Sequence, residues 1–235
     1  MSVHLRRAIE QLKEQTLALS ATVEEAVWLA VRAVQEHDTA LARSVIAGDR
    51  DVDEREVRIE EECLKILALH QPVAGDLRFL VTVLKITNDL ERIGDLAVNI
   101  AERAIHLANR EEAPTTFDFV GMATRTQEML HTALDALVNT DPLRARDVCA
   151  MDDEVDAANR GMYGQVQAGI REHPRHTDFY LQQLSISRHL ERIADHATNI
   201  AEDVIYMSEG RVVRHHVEEF RVPGSGAAPG TPAAG

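Results

Sequence analysis

Aromatic side chains are scarce in this chain, at 4% of 235 residues. Sheets draw on aromatic and β-branched residues, so the shortage argues against a sheet-built core. Cysteine is scarcer still. Cys63 and Cys149 are the two, and neither sits in a CxxC spacing. That spacing argues against a disulfide framework and reads as two free core thiols in a protein of a reducing cytoplasm. No run of 18 apolar residues occurs, so no membrane span is expected. The first residues, MSVHLRRAIEQLKEQ, carry charge where a secretory leader needs an apolar stretch. Cations are in deficit as well: 25 Lys and Arg face 39 Asp and Glu, a formal net charge of −14. A chain this acidic lacks the basic face that nucleic acids require. It is suited instead to a basic protein surface or to cations. There is no P-loop, no GxSxG and no Gly-rich nucleotide loop.

What remains is rich in Ala, Leu, Val, Glu and Arg, a helix-forming mixture with 45% hydrophobic residues. Apolar periodicity and breakers predict six helices. The first spans roughly Val3 to Glu36. Asp38 is a candidate N-cap for the second, which runs to about His70. Pro72 and Gly75 break it, and Asp76 is a candidate cap for a third helix reaching about Asn109. A fourth helix reaches about Asn139. Asp141 then caps a fifth that has Pro142 at its first position and runs to about Glu172. The sixth ends near Gly210. The remaining RVPGSGAAPGTPAAG is of low complexity and is expected to be flexible.

The pattern occurs twice. LERIGDLAVNIAE (Leu90 to Glu102) and LERIADHATNIAE (Leu190 to Glu202) agree at ten of thirteen positions. About 40 residues before each lies a weaker match, AGDRDVDE against AMDDEVDA. The expected architecture is all-α: two tandem three-helix bundles, residues 1–112 and 113–210, followed by a tail, 211–235.

Leu90, Ile93, Ala97, Ile100 and Ala104 form one helical stripe and are the expected core. Glu91, Asp95 and Asn99 step along the adjoining row, one turn apart, as do Glu191, Asp195 and Asn199. The second helix of each unit adds a pair of its own, Asp49 with Asp53 and Asp152 with Asp156. Like charges four residues apart destabilise a helix by a few tenths of a kcal/mol. Facing carboxylates without a cation also repel across the helix pair, until one takes up a proton. A multivalent cation removes both penalties. Oxygen-only donors favour Mg, Ca, Mn or ferric iron, with zinc also feasible. No His or Cys occupies the matched row; His196 has Leu96 as its counterpart. The pattern lacks the Glu-x-x-His motif of di-iron bundles and the twelve-residue calcium loop. A plainer alternative pairs Arg92 and Arg192 with nearby acids on a solvated surface. Four pairs in two matched frames favour the ion site. Asn99 and Asn199 suit either ligation or hydrogen bonds between helices.

At these residues the sequence resembles the PhoU family of phosphate-signalling regulators. The resemblance rests on LERIGDLAVNIAE and LERIADHATNIAEDVIYM, on the acidic motifs DRDVD and DDEVD, and on the doubled three-helix layout. It covers about residues 1 to 210. It implies two similar three-helix bundles whose D/ExxxD motifs hold surface metal clusters, with iron, zinc, manganese and magnesium all found across the family. Carried over by position, the implied ligands are Asp49, Asp53, Glu91, Asp95, Asp152, Asp156, Glu191 and Asp195. The implied function is that of a cytoplasmic adaptor between the ATPase of a phosphate ABC transporter and a sensor histidine kinase. Such an adaptor represses phosphate uptake when phosphate is plentiful. The family includes dimers, so a homodimer is expected, and membrane contact is expected only through the membrane complex.

Two other classes compete. A metal-dependent phosphohydrolase or carboxylate-bridged oxidase needs an open coordination position with an acid or base beside it, and no histidine holds a shared place next to the acid rows. A plain acidic scaffold would bind a basic partner patch by charge alone. Among the other residues, Trp28 is expected to pack between the first helix and its neighbours. Arg78 suits an anion or a partner acid equally. The RHH cluster at Arg214 to His216 is read as having no ligand role.

Overall fold

The helices begin and end where local chemistry dictates. In the computed structural model, which describes residues 3–108, 110, 113 and 119–211, six long helices follow one another: α1 (Val3–Gln35), α2 (Thr39–His70), α3 (Ala74–Leu107), α4 (Phe119–Asn139), α5 (Pro142–Glu172) and α6 (Thr177–Glu209). A single 3-10 turn, Pro174–His176, precedes α6, and no strand occurs among the described residues. Asp38 caps α2 by accepting from the backbone N–H groups of Ala40 and Leu41 at 2.8 and 3.0 Å. Asp141 caps α5 by accepting from Leu143 and Arg144, with Pro142 next in line. α6 closes on Gly210, whose φ of 69° suits glycine. Asp38→Ala and Asp141→Ala are each expected to cost about 1 kcal/mol, read as a lower urea midpoint.

Asp76 is not the cap of α3. The helix starts two residues earlier, after an extended Val73 that makes no side-chain cap. Pro72 ends α2, and the chain needs only Val73 before it turns back. Asp76 lies in the first turn instead, where a carboxylate complements the helix dipole. The expected end of α3 at Asn109, the RHH cluster and the tail lie outside the described residues.

Each half is an up-down-up bundle. α3 packs on α1 and α2, α6 packs on α4 and α5, and α3 and α6 pack on each other between the two halves. α1 also touches α4. The pairs Lys85–Asp203 and Arg103–Gln182 show that α3 and α6 run antiparallel. The expected core stripe is buried: Leu90, Ile93, Ala97, Ile100 and Ala104 are at most 1% exposed, as are Leu190, Ile193, Ala197, Ile200 and Val204. Cys63 is fully buried and Cys149 partly so, and burial pushes both thiols up to about 12.

Trp28 departs from expectation. It is 48% exposed, because Val23, Val27, Ala30 and Val31 occupy the inward stripe of α1. The Arg32 guanidinium lies 4.7 Å from its ring centroid, a cation–π contact. Arg78 pairs with no acid among the described residues. Its Nε is enclosed, and its guanidinium lies so close to Gly210 that a Cβ there would meet Nη1 at 2.6 Å.

Candidate functional site

The register of each second and third helix decides what the acid rows face. In the first half, Val52 and Ile59 turn α2 inward, and Leu90 and Ile93 do the same for α3. The intervening Asp49, Asp53, Glu91 and Asp95 are thereby brought to one margin of the α2–α3 pair. Asp49 is half-buried, and its carboxyl is held above its ordinary range by burial, then by Asp53 on its own helix and Asp95 across on α3. Glu91 is raised by burial and by Asp95, with Glu56 and Asp53 of α2 adding to the effect. Arg92 bridges Glu91 at 3.3 Å and Asp95 at 3.5 Å, yet does not offset the repulsion on Glu91.

The second half repeats this across α5 and α6. Burial, Asp195 and Asp156 push Asp152 up to about 6. Glu191 is raised by burial, then by Asp156 and Asp152; Asp195 is raised by burial, then by Glu191 and Asp156. Arg160 bridges Asp156 at 3.0 Å. All eight candidate carboxylates therefore fall into two sets of four, each set spanning two helices.

Each set has the donor chemistry of a hard-cation site: carboxylate oxygens only, with more negative charge than neighbouring arginines offset. The sets are not closed into a cage. Among the described residues, no three His, Cys, Asp or Glu side chains are grouped as a metal would need them. Rotamer changes would have to bring the oxygens together.

Sequence reasoning missed Glu56. Its carboxyl is raised by burial, then by Glu60 and Asp53, so it extends the α2 row. The spacing Asp49, Asp53, Glu56, Glu60 carries that signal, but the counterpart of Glu56 is Asn159, and the comparison of repeats hid it. The two asparagines of the rows differ. Asn99 donates to the Asp95 carbonyl of its own helix at 2.8 Å. Asn199 donates across the seam to Asp89 Oδ1 at 3.4 Å.

Asp89 also went unread. It is buried in the α3–α6 seam and shares a 2.8 Å hydrogen bond with His196 Nδ1. Lys85 donates to Asp203 Oδ1 at 2.8 Å in the same half of the seam, and Asp203 is 2% exposed. The other half is built differently. Arg103 and Ser185 stand where Asp203 and Lys85 would be, and Arg103 donates to Gln182. His189 takes the place of Asp89. Burial lowers its pKa to about 4, with Arg103, Arg192 and Arg188 adding to the effect.

Comparison with known proteins gives a consistent picture. The family model described as the PhoU domain matches twice, over residues 16–104 and 119–204. A phosphate-specific transport system accessory protein PhoU homolog of Aquifex aeolicus is 39% identical over 216 residues, covering 92% of this chain and 98% of that one. The crystal structure of PhoU from Pseudomonas aeruginosa is similar at 37% identity with a TM-score of 0.85, covering 88% of this chain and 99% of that one. The phosphate transport system regulatory protein PhoU from Streptococcus pneumoniae is similar at 27% identity with a TM-score of 0.79, covering 89% and 99%.

Proposed function

Because the chain belongs to the PhoU family, we propose that it is an accessory regulator of a phosphate-specific transport system, and that its two acid sets hold metal ions. In this reading it is a cytoplasmic adaptor, working as a homodimer between the transporter ATPase and a sensor histidine kinase. It represses uptake and the starvation response when phosphate is sufficient. Its halves are residues 1–112 and 113–210, each containing one family match. The relatives are named for accessory and regulatory roles, not for a reaction.

One observation carries the metal reading: carboxylates face each other across two helices in both repeats, and burial with that proximity holds Asp49, Glu91, Asp152, Glu191 and Asp195 above their ordinary range. A surface evolved only for solubility has no need of that repulsion. Asp49, Asp53, Glu91 and Asp95 would hold a cation in the first half, and Asp152, Asp156, Glu191 and Asp195 in the second. A bound Mg, Mn, Fe or Zn would supply positive charge and link the two helices of each set. The residues themselves orient the oxygens, with Arg92 and Arg160 as the cations they would exchange.

Calorimetric titration with Mg, Mn, Fe and Zn, joined to elemental analysis, tests this. The Asp95→Ala, Asp195→Ala double variant is expected to bind at least tenfold more weakly than wild type. Equal binding by both proteins refutes the metal reading. The open arrangement of the oxygens favours a second reading, an acidic scaffold that recognises a basic partner by charge. Co-purification with the transporter ATPase and the sensor kinase, at high and low phosphate, separates the two. Loss on chelation supports the metal adaptor, and indifference to chelators supports the scaffold.

A further inference from the structure

The two halves differ in sequence beside the first acid set. Where α1, α2 and α3 meet, a cleft of about 250 Å³ opens, with Ala26, Leu29, Val45, Val52 and Val98 among its apolar walls. Glu25 and Asp49 line it as carboxylates. Registering the repeats on their caps and acid pairs, Asp38 on Asp141 and Asp49 on Asp152, sets two small lining residues of the cleft against larger ones. Gly48 corresponds to Met151 and Ala26 to Met129. In the second half Met129 is fully buried, and Met151 packs against the core. The second half thus carries a core-packed methionine at each of the two positions where the first has Gly48 or Ala26.

The surroundings define an occupant. The volume falls short of the roughly 300–1,000 Å³ of a small-molecule pocket and suits one or two side chains. Trp28 lies one turn beyond Glu25 on α1 and is half exposed. Tryptophan is among the residue types enriched at the energetic anchors of protein interfaces. The lining acids, in a chain of net charge −14, complement a cation and oppose another acidic surface. We propose that the cleft is a docking site for an amphipathic, basic helix of a partner protein. The helix inserts an apolar side chain between Ala26, Leu29 and Val52, and sets Lys or Arg against Glu25 and Asp49. This is the helix-in-groove mode of recognition. It shares Asp49 with the metal reading but needs no bound ion, so binding measured on metal-free protein in chelator tests it apart from that reading.

Gly48 supplies the test. It lies within α2, and a Cβ there meets nothing within 4 Å. Gly48→Met therefore places a side chain in space that is open in the wild type. It also removes a helix penalty of about 0.5–1 kcal/mol, so the variant folds. The probe is a sixteen-residue helical peptide of Leu and Lys with leucine on one face, beside a twin in which Glu replaces every Lys. Trp28 is the single tryptophan and reports binding by its emission. Wild type is expected to bind the Leu/Lys peptide at least tenfold more tightly than Gly48→Met does, and not to bind the Leu/Glu twin. Glu25→Gln is expected to weaken binding several-fold while leaving the melting temperature in place. Equal affinity for wild type and Gly48→Met overturns the proposal, since the peptide then binds by general charge. Absence of binding to wild type overturns it too. So does a wild-type dimer that Gly48→Met dissociates, because the occupant is then a second copy. Flotation with phosphatidylglycerol vesicles that Gly48→Met abolishes also overturns it, in favour of a lipid surface.

Discussion

Lys85→Ala is expected to destabilise the protein by about 2–3 kcal/mol, below the ~3–5 kcal/mol of a fully buried pair because Lys85 is partly open to water. The reason lies in the seam. Asp203 sits in the interior, and the Lys85 ammonium contacts its Oδ1 at 2.8 Å. The same ammonium lies 5.4 Å from the Tyr206 ring centroid, which adds a cation–π contact. Removing the cation takes the ammonium away from a carboxylate in a poorly solvating place, which raises the cost of keeping it charged. A drop in melting temperature of about 5–10 °C follows for a chain of this size. Adding Asp203→Ala to Lys85→Ala is expected to recover part of the loss, because the buried charge is removed along with its cation. If the double variant is no more stable than the single one, the pair is not what holds the seam.

Asp152→Asn is expected to stabilise the metal-free protein at pH 7.5, by about 1–2 kcal/mol. Burial and the nearby Asp195 and Asp156 push the folded-state value up to about 6 from an ordinary 3.8. Between those values the folded chain holds a proton that the unfolded chain has released. The contribution is fully present below the unfolded value and is lost as pH rises through about 6. At pH 7.5 the folded protein thus carries an unfavourable charge, which Asn lacks. The full interval corresponds to about 3 kcal/mol, and partial exposure of the group reduces it by screening. Urea melts in chelator at pH 5 and 7.5 measure this directly. The gap between wild type and variant should be narrower at pH 5, which lies between the two values, and wider at pH 7.5. In excess Mn the order should reverse, if the carboxylate is a ligand. A variant no more stable than wild type at pH 7.5 in chelator contradicts the repulsion.

The helices were largely legible because their signals are local. Asp38, Asp141 and Pro142 act on the backbone within three residues, and the stripe from Leu90 to Ala104 needs only a period. Asp76 misled because a carboxylate in the first turn and a carboxylate at the cap look alike in sequence. Pro72 and Val73 decide between them through backbone geometry. Trp28 was misplaced because bulk suggests burial, whereas its angular position on α1 puts it outside the stripe. The acid rows were visible from spacing and duplication together, and Glu56 escaped because it is not duplicated. The seam was illegible. Lys85 and Asp203 are 118 residues apart, and their counterparts are Ser185 and Arg103. Comparing the repeats selected what the halves share and discarded what joins them.

The seam also has a timetable. α3 ends at Leu107, and its partner α6 is complete only at Glu209. At about 5–20 residues per second, the ribosome leaves the seam face of α3 uncovered for roughly 5–20 s. A purely apolar face exposed that long invites association with other nascent chains. Lys85, Asp89 and Arg103 interrupt it with groups that water solvates well until α6 arrives. The charges that lock the finished molecule together thus also guard the unfinished one.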